Sequence, residues 1–164
     1  ITPCFKHFPG QGAAIGAMEN GRERSTRTMG EMRQTEWQPF IAAIAAQAEM
    51  IQMSSITARG IDATCPATLS SAVIQEILRD ELGFTDVIVT ASLRSPAVTN
   101  AYDAGEAAVL ALQAGADVLL LPEDLEAAVL CIHQALRQGD LTEERIDESV
   151  ARILALKIQA GLIR

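Results

Sequence analysis

The chain has 164 residues, enough for one domain with a substantial buried core. Hydrophobic residues make up 49% and charged residues 21%, a balance that excludes intrinsic disorder and is too polar in pattern for a membrane span. The net charge of −8 and a pI near 4.7, with no long cluster of Lys and Arg, exclude a phosphate backbone as partner, so no nucleic acid is expected.

In chain order, TPCFKHF reads as a first strand that runs into Lys6-His7-Phe8-Pro9-Gly10, where Pro and Gly force a turn. Residues 9 to about 35 have no apolar periodicity and carry Gly10, Gly12, Gly16, Gly21 and Gly30, which predicts a long loop and the natural place for a site. EMIQMSS reads as a second strand. Val73, Ile74, Ile77, Leu78 and Leu82 recur at helical spacing over 71–82, with Ser70 as the N-cap candidate. Gly83 and Gly115 each end a helix shortly before a strand, DVIVT and DVLLL respectively, and suit the left-handed turn required there. Glu123, Asp124 and Glu126 follow Pro122 and open a helix that carries Cys131 and a surface histidine, His133. The last helix opens at Thr142, with Glu143 and Glu144 in its first turn and Ile146, Val150, Ile153, Leu154 and Ile158 on one stripe, and stops at Gly161. Short apolar runs alternating with amphipathic helices predict βα units and a parallel sheet.

Cys4, Cys65 and Cys131 are far apart and odd in number, with no Cys/His cluster of metal spacing, so buried free thiols are expected and no metal. The chain starts at Ile1, inside what reads as a strand and without a targeting segment, which predicts a piece of something longer.

Five segments in order, KHFPGQG, RTMGEMRQTEWQPFIAAI, PATLSSAVIQEILRDELGFTDVIVT, AAVLALQAGADVLLLP and GDLTEERIDESVARILALKIQAGL, resemble glycoside hydrolase family 3 in its bacterial β-N-acetylhexosaminidase branch. The resemblance covers nearly the whole chain. It implies an α/β fold: the C-terminal half of a (β/α)8 TIM-type barrel, about four parallel strands alternating with helices, over residues 1–164, with its site at the C-terminal strand ends. The KHFPG turn then follows the fifth barrel strand. Half a barrel leaves two strand edges open, so either a missing N-terminal half or a second copy is the expected partner. No cofactor is implied, and the branch is commonly cytoplasmic.

Retaining glycosidases place a nucleophilic carboxylate and an acid/base about 5 Å apart. In the resembling enzymes the nucleophile is the first Asp of a Ser/Thr-Asp-Asp-Leu pattern, which here reads Thr90-Ala91-Ser92-Leu93, so Ala91 stands at the nucleophile position. Asp86, at the other end of that strand, is five residues and more than roughly 13 Å away. An ungapped match puts Ala17, Met18 and Glu19 on the family's Asp-Ser-His acid/base group, and no histidine follows His7 until His133. Gln11 replaces the second histidine of Lys-His-Phe-Pro-Gly-His-Gly, and Ser55 replaces one after the sixth barrel strand. Lys6 and His7, which the resemblance makes sugar contacts, are kept. The expected function is that of a family 3 relative with impaired or lost catalysis that retains an amino-sugar ligand. The alternatives are an active hydrolase of terminal N-acetyl-β-glucosaminides completed by a first half, using Glu19 as acid, and a non-enzymatic assembly module.

Overall fold

A computed structural model of the chain describes residues 1–19 and 22–163; the side chains of 15–19 and of Arg22 are outside that description. Its strands are β1 (Phe5–Phe8), β2 (Ile15–Glu19), β3 (Arg22–Thr28), β4 (Met50–Met53), β5 (Thr57–Gly60), β6 (Val87–Ser92) and β7 (Val118–Leu120). Its α-helices are α1 (Met29–Gln34), α2 (Gln38–Ala45), α3 (Pro96–Thr99), α4 (Ala104–Ala114), α5 (Leu125–Gln138) and α6 (Glu143–Gln159), with a 3-10 turn at Ala67–Leu69 and a π-helix at Ala72–Glu81. The four strands expected from the apolar runs form one parallel sheet in the order β1-β4-β6-β7.

Residues alternate between the faces of such a sheet, and the register decides which side chains share a row. Ile51 and Ile88 are paired and fully buried, which marks the face that packs under the helices with Met53, Ile74 and Leu78. Lys6, Gln52, Val89 and Val118 form a row on the opposite face, each paired with the next. Phe8 anchors the end of β1 against the ring of Phe40, edge to face at 5.1 Å, and against the buried Trp37. On the helical side, Leu125, Val129 and Leu130 of α5 and Val150, Leu154 and Ile158 of α6 are exposed apolar side chains.

The segment expected to be a long loop is instead ordered secondary structure. β2 and β3 form an antiparallel pair, β5 joins β3 in parallel as a second sheet, and α1 follows directly. Arg22–Thr28 reads RERSTRT, polar in every position, so backbone pairing holds it as a strand while no apolar alternation announces it. Thr28 then caps α1 through a reciprocal pair: its hydroxyl accepts from the Glu31 N–H, and the Glu31 carboxylate accepts from the Thr28 N–H.

The helix expected over 71–82 is wound as a π-helix, with the Leu82 N–H donating five residues back to the Ile77 carbonyl at 2.9 Å. Val73, Ile74, Ile77 and Leu78 are buried as their spacing predicts. Ser71 directly precedes it without a side-chain bond, whereas the Ser70 hydroxyl accepts from the Val73 N–H at 3.3 Å, so the capping role expected of Ser70 is filled. Thr142 caps α6, Asp124 caps α5, and Gly83 and Gly115 have φ of 72° and 110°. All three thiols are free, but Cys4 is exposed and Cys65 and Cys131 are half-buried, not buried as expected.

One carboxylate ties the N-terminal ends of the strands to the helices. Asp117, whose side chain has no exposure, accepts from Arg79 at 2.7 Å, the Ile88 N–H at 2.8 Å, Ser149 at 2.7 Å and Arg152 at 3.0 Å. Arg145 lies 3.9 Å from it and donates to the carbonyls of Leu112 and Ala116. Burial pushes the Arg79 and Arg145 guanidinium groups down, opposed by the charge of Asp117.

Asp62, after β5, is a second polar centre. Burial pushes its carboxyl up, but donors from Ser70, Thr64 and Cys65 outweigh that and hold it at about 2, below 3.8. Because the folded form holds its proton less tightly than the unfolded one, its stabilisation is present above about 3.8 and disappears as pH falls through about 2. The gap in urea midpoint between wild type and Asp62→Asn should therefore be open at pH 6 and closed near pH 2. An equal gap at both pH values would show that the carboxylate's charge is not responsible.

Candidate functional site

The turn after β1 is built by covalent geometry and backbone bonds. The Gly10 N–H donates to the His7 carbonyl at 2.8 Å, and Gly10 has φ of 115°, where an L side chain is strained. Phe8 is buried, so it fixes the strand end while Lys6 stays exposed and His7 half-buried. An open cavity of about 220 Å³ is lined by Phe5, Lys6, His7, Gly10 and Gln11 of this segment and by Pro39 and Phe40 of α2. Burial, and then the neighbouring Lys6 ammonium, push the His7 imidazole below 6.5. At neutral pH that ring offers one nitrogen as donor and the other as acceptor, beside the three donors of Lys6. Such a pair suits a ligand rich in hydroxyl groups.

Ala91 lies in β6 one residue from its C-terminal end and is 7% exposed. Its N–H donates to the Thr68 hydroxyl at 2.9 Å, so this strand end is fixed to the 3-10 turn. Ala91 is two residues beyond Val89 and on the same face, and Val89 belongs to the row that starts at Lys6. β4 separates β1 from β6, which places Ala91 roughly 10 Å across the sheet from the Lys6 strand. It is not among the residues lining the cavity. β6 reads Val87-Ile88-Val89-Thr90-Ala91-Ser92 and contributes no carboxylate. Asp86 precedes the first residue of β6 and is exposed, at the end away from Ala91, as its position in the sequence requires. Ser92 is used locally, its hydroxyl accepting from the Arg94 N–H at 3.3 Å.

Ala17 and Glu19 have backbone positions in β2, and their side chains lie outside the described residues. Ser55 is half-buried just past β4. Its neighbour Ser54 is fully buried and accepts from the Gln11 side-chain amide at 3.0 Å, so the turn after β1 is joined to the end of β4. Sequence reasoning gave Thr68 and Ser54 no part in the site. Thr68 was visible only as a member of the PATLS segment, and nothing in the spacing links either residue to its partner. Among the described residues no group of three His, Cys, Asp or Glu side chains is placed to hold a metal ion, and no helix is long and apolar enough to cross a membrane.

Comparison with known proteins gives the same reading of the fold. The structure of a glycoside hydrolase family 3 β-N-acetylglucosaminidase from Paenibacillus sp. str. FPU-7 matches with a TM-score of 0.92 and 34% identity, over 99% of this chain and 32% of that one. A β-N-acetylglucosaminidase/β-glucosidase of Cellulomonas fimi is 27% identical across 100% of this chain and 31% of its own length. The β-hexosaminidase LpqI of Mycobacterium tuberculosis is 27% identical over 96% of this chain and 42% of its own. The chain thus spans less than half the length of these relatives. The sequence profile of the glycosyl hydrolase family 3 N terminal domain matches residues 1–156. With that match and the fold shared with a family 3 structure, the chain belongs to glycosyl hydrolase family 3 and carries four parallel strands of its N terminal barrel domain.

Proposed function

We propose that this chain is a β-N-acetylhexosaminidase-like module that holds a terminal N-acetylated amino sugar through Lys6 and His7 and has lost the covalent chemistry of its relatives. The observation that carries this reading is Ala91: a methyl group stands, buried in β6, at the position where the resemblance expects the nucleophilic Asp. A methyl cannot form the glycosyl ester on which the retaining route depends. The neutral His7 ring and the Lys6 ammonium remain able to bond sugar hydroxyls, which supports retention of binding without turnover. A first half of the barrel, in the same chain or another, is the partner that would cover the open edges of β1 and β7.

The names of the relatives favour a second reading, an active N-acetylglucosaminidase. That route needs Glu19 as general acid and attack by the substrate's own N-acetyl group in place of the missing carboxylate.

Titration of N-acetylglucosamine against wild type and Lys6→Ala tests the binding. Loss of a charge-assisted bond is expected to weaken affinity by roughly tenfold or more. Equal affinity in both proteins would remove Lys6 from the site, and no binding by either would leave an assembly role only.

A further inference from the structure

The loop after β1 is attached twice to one residue. Ser54, without exposed surface, donates its N–H to the Phe8 carbonyl at 2.7 Å and accepts the Gln11 Nε2–H on its hydroxyl at 3.0 Å. The same hydroxyl accepts the Ile56 N–H at 3.1 Å, so both of its acceptor positions are filled and its own place is fixed by backbone. Between the two attachments run Pro9 and Gly10, and the Gly10 N–H closes the turn onto the His7 carbonyl. Lys6, His7, Gly10 and Gln11 all line one cavity, so the clasp fixes one side of that cavity to the end of β4.

We propose that Gln11 is a positioning residue for the sugar site: its side-chain amide, held by the buried Ser54 hydroxyl, sets the placement of the Lys6–Gly10 turn. The Gln11–Ser54 contact joins two loops, so the turn is pre-formed before any sugar arrives, which lowers the ordering cost of binding. This rests on the sugar-binding reading above.

Two readouts keep the clasp and the sugar apart. In NMR titrations of the His7 imidazole, Gln11→Ala should raise its pKa toward 6.5, because a released turn leaves the ring better solvated beside the same Lys6 charge. In N-acetylglucosamine titrations Gln11→Ala should weaken binding roughly fivefold, the effect of one neutral hydrogen bond. Gln11→Ala should add nothing to either readout in a Ser54→Ala background. Unchanged His7 titration in Gln11→Ala, or an equal Gln11→Ala effect with and without Ser54, would overturn the clasp. A His7 shift in Gln11→Ala together with no sugar binding by wild type would keep the clasp and overturn its role in binding.

Discussion

Replacing Asp117 with alanine should destabilise the fold by about 3–5 kcal/mol, the cost of removing one partner from a fully buried ionic cluster. The carboxylate receives donors from the π-helix, from β6 and from α6, and its side chain has no exposure. Without it, Arg79, whose side chain is 7% exposed, keeps the carbonyls of Phe84, Asp86 and Gly115 and the face of the Phe84 ring but no carboxylate partner among the described residues, while its charge and those of Arg145 and Arg152 repel one another. Arg152→Ala should cost much less, since that side chain is 26% exposed and also pairs with Glu148. Urea unfolding followed by circular dichroism measures both. Equal costs for Asp117→Ala and Arg152→Ala would mean that the cluster behaves as a surface ion pair.

Gly10→Ala should damage the site and the fold together. The backbone at φ of 115° costs an L residue about 1–3 kcal/mol. A Cβ there would also stand 2.5 Å from Glu36 Cβ and 2.7 Å from Glu36 Cγ. Glu36 has little room to retreat, because its side chain is 7% exposed and is paired with Arg27 at 3.0 Å. The expected result is a lowered unfolding midpoint and, on the proposed reading, loss of sugar binding as the Lys6–Gly10 turn shifts. Glu36→Gly in the same chain removes the clash but not the backbone strain, so it should restore only part of the stability. Full stability in Gly10→Ala alone would contradict the geometry of the turn.

Much of the fold was legible because burial leaves a period in the sequence. The four parallel strands appear as apolar runs, and the π-helix and α6 as stripes such as Val73-Ile74-Ile77-Leu78. The β2–β3 pair was not legible, because RERSTRT is held by backbone pairing and carries no apolar face. The π winding of 72–81 was invisible as well, since its apolar spacing also fits an α-helix. At the site, Lys6, His7 and Gly10 lie in one short run, KHFPG, and stood out as a motif. The Gln11–Ser54 and Ala91–Thr68 bonds join residues 43 and 23 apart, and single hydrogen bonds across such separations leave no local pattern. Asp117 was missed for the same reason, with partners 29 to 38 residues away.

The direct test of the proposed loss of chemistry is hydrolysis of an aryl N-acetyl-β-glucosaminide by the wild-type protein, measured with Glu19→Gln alongside. On the proposed reading, which puts Ala91 at the nucleophile position, both proteins are predicted to release aglycone only at the uncatalysed rate. Turnover by wild type that disappears in Glu19→Gln would contradict the account and establish an active hydrolase.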